Sequence, residues 1–426
     1  MLKKIFSKKY RSIPILVMLV VILGLLGMKL FHQWQKQSQP PIAIMIATDM
    51  HLLAKEYTGD FFYEPSAAFD GKLTHYSNEY FDAFLAEVLE QKPNLLILSG
   101  DLTLNGDVKS HEEMAKKLDA VQNAGVQVLV IPGNHDVGSS SYDYSTKPEP
   151  TLTESLFANS FGECYENFGL KQALSRDSAS CSYIYEVSPY LRIIMLDTNT
   201  SVKGQVHPDT LTWLEAELRS AKLAGADVIS VSHQNLHIHS PLLYFTYQFY
   251  NADELYELYE KYDVAVNISG HIHVQSIVQD KIPEIAVGSL AVPDSNYGKI
   301  VYNGKTIDYS THSTDVEDYA KSQNWTNPDL LNYKEYCRTY FEGVAKAQTY
   351  NAFSESSLSQ AEIELLAETY SKINSAYFSG NPIVEKEFET GLALWREQTD
   401  SFILRYIESM IVESQTDNRS ITIRLN

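Results

Sequence analysis

Five stretches of this sequence put an aspartate, an asparagine or a histidine directly after a run of apolar, largely β-branched residues. IAIMIAT (42–48) leads into Asp49-Met50-His51, and NLLILS (94–99) into Gly100-Asp101. VQVLVIP (126–132) leads into Gly133-Asn134-His135-Asp136, DVISVS (227–232) into His233, and VAVNIS (264–269) into Gly270-His271-Ile272-His273. Taken singly, each has a structural explanation, because Asp and Asn follow strands as turn residues or helix caps. Together they point to one site, since ligands of open α/β sheets bind at the carboxyl edge of the strands.

The residue mix suits metal ions. A cation of hard to intermediate character takes carboxylate oxygen and imidazole nitrogen. Two such ions about 3.5–4 Å apart can hold a phosphoryl group and a hydroxide together, and one carboxylate must bridge them. Asp49 and His51, at i and i+2 on extended backbone, point the same way and reach one ion. Asp101, alone after its strand, is the natural bridge. Asn134 offers an amide oxygen to the second ion, which His233 and His271 complete, while His273 completes the first.

At this point the sequence resembles the calcineurin-like metallophosphoesterases, whose pattern Asp-x-His, Gly-Asp, Gly-Asn-His-Asp/Glu, His, Gly-His-x-His is met at all five places over roughly residues 42–300. The resemblance implies a two-sheet α/β sandwich flanked by helices. It implies Asp49, His51, Asp101 and His273 on one ion, and Asp101, Asn134, His233 and His271 on the other. The ions would be manganese and/or iron, with zinc as the alternative. It also implies that His135 is not a ligand but faces the leaving group. A metal-bridging hydroxide would attack phosphorus in line, and the His135 imidazolium would protonate the departing oxygen. Asp136 would orient that ring. Candidate substrate contacts are Asn134, Asn105 and His239.

Within the family, Leu104 stands where purple acid phosphatases have a tyrosine, and GDLTLNG (100–106) lacks the Asp-Arg-Gly of the Ser/Thr protein phosphatases. Gly-Asp-Leu-Thr with Gly-Asn-His-Asp looks more like the class III cyclic nucleotide phosphodiesterases. The expected activity is therefore hydrolysis of a small, cyclic-nucleotide-type phosphodiester. A broad phosphomonoesterase and a non-catalytic metal-binding receptor or scaffold are the competing readings.

Positioning these residues requires buried strands, and the apolar runs alternate with amphipathic segments at 79–91, 110–125 and 209–225, the last with Asp209 as its expected N-cap. That alternation gives an α/β domain with much parallel sheet. LRIIML (191–196), SYIYEV (182–187), VQSIVQ (274–279) and IPEIAVGSL (282–290) suggest further strands. From about residue 315 the pattern is helical, with candidate helices at 330–348, 357–377 and 384–412. SITIRLN (420–426) alternates too weakly to assign. We expect a catalytic domain over 41–312 and a helical C-terminal domain over 315–415. His111 reads as a solvated residue at a helix start, and the helical tail either covers the cleft or packs beside it.

Residues 13–28 are apolar and uncharged, and with Leu30 and Phe31 they approach the ~20 residues that span a bilayer. Five basic residues precede them, which keeps the N-terminus cytoplasmic. The expectation is a cytoplasmic tail (1–12), a single-pass signal-anchor in the cell membrane (13–31) and an extracytoplasmic catalytic domain. A cleaved signal peptide competes, but no small-x-small site follows. Export would permit a Cys164–Cys181 disulfide. No acidic residue occurs before Asp49, so the remainder holds 27 basic against 54 acidic residues. Such a body repels polyanions, so the expected partner is a small phosphoester rather than a nucleic-acid polymer.

Overall fold

The structure is a computed structural model describing residues 12–59, 71–145, 149–243, 247–399 and 401–425. The expected cytoplasmic tail, Ser12 apart, lies outside the described residues. The first helix, α1 (Ser12–Ser38), contains a stretch, Val17–Ser38, long and apolar enough to cross a membrane.

The rest of the chain builds an α/β sandwich of two mixed sheets. Strands β1 (Ile42–Ala47), β2 (Leu95–Leu98) and β3 (Gln127–Val130) lie parallel in the first sheet. Two strands, β4 (Ser141–Asp143) and β5 (Thr151–Thr153), form a separate small hairpin. In the second sheet β6 (Ser175–Arg176) and β7 (Tyr183–Ser188) precede β8 (Leu191–Leu196), β9 (Asp227–Ser232) and β10 (Val266–Ser269), and these last three are parallel. That sheet ends with β11 (Ser276–Val278) and β12 (Glu284–Ala286). Then β13 (Asn296–Tyr302) and β14 (Thr306–Ser313) return to the first sheet as a hairpin, antiparallel to β1.

The period-two alternation of β1 explains how one strand serves two layers. Ile44 and Ile46 join Ile97, Ile193, Ile229 and Ile268 in the core between the sheets. Met45 and Ala47 face the other way, into a core shared with α2 (Ser77–Gln91) and α3 (Val108–Asn123). Asp107 caps α3 by accepting the Ser110 N–H at 2.7 Å. On the far side of the second sheet, after the short α4 (Ala158–Cys164), lie α5 (Pro208–Ala224) and α6 (Ala252–Tyr262). His207, not Asp209, caps α5: its ring accepts the Asp209 N–H, and Pro208 supplies the first helical residue.

Beyond β14 come α7 (Val316–Ser322), α8 (Pro328–Leu331), α9 (Tyr333–Ala352), α10 (Gln360–Phe378), α11 (Glu389–Arg396) and α12 (Phe402–Glu413). The segment expected as one helix over 384–412 is broken, because Ser401 starts a new helix by capping the Leu404 N–H. These helices have their own apolar core, and Ile272, Val274 and Ala286 of the α/β sandwich extend into it. The C-terminal segment then pairs antiparallel with β14 as β15 (Ser420–Arg424). All three cysteines are free, so the Cys164–Cys181 bridge that export would permit is not formed.

Candidate metal centre

Each candidate ligand sits in a loop just past the carboxyl end of a strand. Strand β1 stops at Ala47, and the chain then stays tied to the neighbouring loop: Asp49 N–H donates to Gly100 O and His51 N–H to Asp101 O. Asp49, His51, Asp101, His271 and His273 all have positive φ, between 43° and 68°. Asp49 and His51 therefore do not converge by lying on extended backbone, as the sequence suggests. They converge because both turn into the left-handed region, which costs an L-residue roughly 1–2 kcal/mol. Strain of this kind gathers at functional sites. Two glycines let the loops close together: a Cβ on Gly133 would overlap the Asp101 nitrogen and carboxylate, and one on Gly270 would overlap Thr48 Oγ1.

The side chains meet in two groups that share Asp101. Asp49, His51, Asp101 and His273 bring one ligand atom each within 4.8 Å of one another, and so do Asp101, His233 and His271. His51 Nε2 lies 3.1 Å from His273 Nε2, and His273 Nε2 3.2 Å from Asp49 Oδ1. In the second group His233 Nε2 lies 3.3 Å from Asp101 Oδ2 and 3.0 Å from Asn134 Oδ1. His233 Nδ1 donates to the Ser99 carbonyl, which turns Nε2 inward. Burial opposes a charge on His233, but Asp101 outweighs it and raises the ring to about 9, so Nε2–H faces the Asp101 and Asn134 oxygens, a position that a cation would take over. Asp49 Oδ1 has no hydrogen-bond partner among the described residues. The donors, buried carboxylates and imidazoles, fit two ions of the manganese, iron or zinc type.

The charges agree with this. Burial alone would raise the Asp101 carboxyl, but His233 and His135 beside it hold it well below its ordinary value. Burial likewise opposes His273 at Asp49, and the histidine prevails, leaving the carboxyl lowered. His51 is held well below the ordinary imidazole range by burial, then by Lys72 and His135, so it stays in the neutral form that ligates.

His135 stands beside both groups. Its Nδ1 donates to Leu104 O at 2.7 Å, its Nε2 lies 3.9 Å from Asp101 Oδ2, and its backbone N–H donates to Asp101 Oδ1. Asp136 does not orient it. The buried Asp136 carboxylate accepts the N–H groups of Leu102, Thr103 and Gly133 and the Thr103 hydroxyl, so it staples the second and third strand-end loops together. Successive residues of this turn point apart, and Leu104 O takes the orienting role.

Two expected substrate contacts are also corrected. His239 is buried, with one ring nitrogen on Ser276 Oγ and the other on Glu284, so no ring nitrogen is left for a ligand. Asn105 is held in its turn, its amide against Asp107 and Tyr142 and its carbonyl accepting Ser141 Oγ. His111, expected in solvent, is fully buried between Tyr165 Oη and the Asp136 carbonyl. The sequence reading missed Glu284, which accepts the Leu236 and His237 N–H groups and thereby fixes the loop after His233. A lone Glu in an apolar strand was the available signal. It also missed Tyr247, whose ring lies 5.0 Å from that of His271.

Residues 42–275 match the calcineurin-like phosphoesterases, and residues 315–417 match the C-terminal domain of cyclic nucleotide phosphodiesterase. A Nostoc protein named 3′,5′-cyclic-nucleotide phosphodiesterase is 26% identical over 238 residues, covering 55% of this chain and 72% of that protein. A Synechococcus protein named "Probable cyclic nucleotide phosphodiesterase" is 28% identical over 180 residues, 42% of this chain and 52% of that protein. A dimetal phosphatase from Danio rerio aligns over 65% of this chain and 97% of its own, at 12% identity and a TM-score of 0.48.

Proposed function

We infer, from the premise that this chain belongs to the calcineurin-like phosphoesterase family, that it cleaves small cyclic-nucleotide-type phosphodiesters outside the cytoplasm while anchored in the membrane. It is a metal-dependent phosphoester hydrolase. The observation that carries the finer reading is the pair of ligand groups joined at Asp101 with the unligated His135 beside them.

Two bound cations would polarise the phosphoryl oxygens and acidify a water for attack. Asp49, His51, Asp101, Asn134, His233, His271 and His273 are the residues to hold them. His135 supplies a proton to the departing oxygen: the Leu104 carbonyl fixes its Nδ1–H, which leaves Nε2 to face substrate. The α1 helix is the anchor. It meets the α/β sandwich at the amino ends of the strands, where Lys36 pairs with Asp227 at the start of β9. The ligand loops follow the carboxyl ends of the parallel strands, so the cleft opens away from the bilayer, toward soluble substrates.

Full-length protein in detergent with manganese is expected to hydrolyse bis(p-nitrophenyl) phosphate and 3′,5′-cyclic AMP, and Asp101→Ala to bring both to background. His135→Ala should cost about 10²–10⁴-fold on cyclic AMP and less on the aryl diester, because nitrophenolate leaves without a proton. Equal losses on both would remove the acid role. Turnover of monoesters alone would make the chain a phosphomonoesterase, and no turnover with manganese, iron or zinc would leave the non-catalytic reading.

A further inference from the structure

A cavity of about 410 Å³ opens from the metal-ligand groups toward the C-terminal helices. Its one wall is Asp101, His135, His271 and His273, and the opposite wall comes from α9, α10 and α12. The size is ordinary for a small-molecule site, on the order of 300–1,000 Å³. The two walls differ in chemistry. The ligand side is charged, whereas the helical side is aromatic and amide: Phe341 and Phe378, Tyr370 and Tyr406, Gln348 and Asn374.

Asn374 is the informative residue. It is 93% buried on α10, yet its Oδ1 has no hydrogen-bond partner among the described residues. A buried amide oxygen left unpaired costs about 1–3 kcal/mol, so a ligand donor reaching it would gain that back. Gln348, on the facing helix, has its Oε1 committed to the Tyr370 hydroxyl at 3.1 Å, which sets the orientation of its amide. Flat aromatic faces beside a buried amide suit a nucleobase, since an asparagine amide pairs in two places with a purine edge that carries a neighbouring donor and acceptor. The helical wall is held to the ligand loop by Ile272 and Val274, which flank His273 and enter the helical core.

We propose that the C-terminal helices form the subsite for the nucleobase of the substrate, a purine, with Asn374 as the residue that reads its edge. The proposal rests on the phosphodiesterase reading above. It predicts that the base, and not only the phosphate, contributes to affinity.

The test uses the full chain in detergent with manganese. Equilibrium binding of AMP is compared with that of ribose 5-phosphate by calorimetry, and kcat/KM for cyclic AMP with that for bis(p-nitrophenyl) phosphate. Native protein should bind AMP at least tenfold more tightly than ribose 5-phosphate. Asn374→Leu should erase that difference and lower kcat/KM for cyclic AMP at least tenfold more than for the aryl diester. Gln348→Ala, at an exposed helix position where folding is safe, should act in the same direction by about threefold. Equal binding of AMP and ribose 5-phosphate by native protein that cleaves the aryl diester would overturn the subsite and leave the hydrolase intact. Equal losses on both substrates in the variants would also overturn it. Failure of native protein to cleave either substrate would instead strike the phosphodiesterase reading itself.

Discussion

His233 shows how much of a candidate ligand's behaviour is set by residues outside the cluster itself. Its Nδ1 is tied to Ser99 O, and the loop that follows it is pinned by Glu284. That carboxylate accepts from the Leu236 and His237 N–H groups, the His239 ring and the Asn267 amide. Burial would raise the Glu284 carboxyl, but the His239 hydrogen bond and the nearby His239 and His237 charges outweigh it and hold it below its ordinary value. Glu284→Gln turns an amide NH₂ toward donors. We expect it to lower stability by about 2–3 kcal/mol and to weaken metal binding by roughly 10–100-fold. Urea titration and metal analysis after dialysis check the two effects. Unchanged metal content would show that the loop is held without it.

Helix α9 meets the α/β sandwich through an aromatic contact that also holds a titratable group. His75 Nε2 lies 3.2 Å from Tyr336 Oη, and its ring packs 5.4 Å from that of Tyr340. Nearby, Tyr76 donates to Asp329 of α8. Burial, partly offset by Asp329, lowers His75 from 6.5 to about 4. Below pH 6.5 the unfolded chain takes up a proton that the folded chain refuses until about pH 4. The stability this site contributes is therefore complete above pH 6.5 and is lost as pH falls through about 4, by up to ~3 kcal/mol. Denaturation midpoints measured from pH 7 to pH 4 should fall less steeply in His75→Gln than in native protein. Parallel curves would show that His75 does not carry this dependence.

Across the whole molecule, the apolar helix α1 and the candidate ligand loops lie at opposite ends of the same strands. Lys36 Nζ is 2.7 Å from Asp227 Oδ1, and Tyr302 donates to Asp227 Oδ2. The His32 ring meets Gly225 O, and Tyr190 donates to Gln35. The end of α1 is thus docked on the protein and is not a free tether. Breaking a buried pair from one side leaves an unpaired charge, at about 3–5 kcal/mol. Lys36→Met should lower the thermal midpoint by several degrees and leave kcat for the aryl diester unaltered, because the cleft is at the far end. The double variant Lys36→Met, Asp227→Asn should recover part of the loss. A change in kcat would mean that the docked helix and the cleft are coupled.

The cluster of candidate ligands that the fold brings together was legible in the sequence because each member lies within a few residues of the end of an apolar strand, so local order already announces it. The strands β1, β2, β3, β8, β9 and β10 were legible for the same reason. The hairpin β13–β14 was harder, since NYGKIVY and TIDYSTHS mix polar residues into both faces. For β15, an edge strand, pairing with β14 supplies what its own alternation does not. The partner of His135, the burial of His239 and His111, and the left-handed turns at Asp49 and His51 depend on groups far away in the chain. So does the cavity, which joins His135 to Asn374. Side-chain identity and strand periodicity are local and can be read from neighbouring residues. Which acceptor a buried ring finds, and which wall a helix presents to a cleft, follow from packing between segments that lie tens to hundreds of residues apart, and that only the folded chain decides.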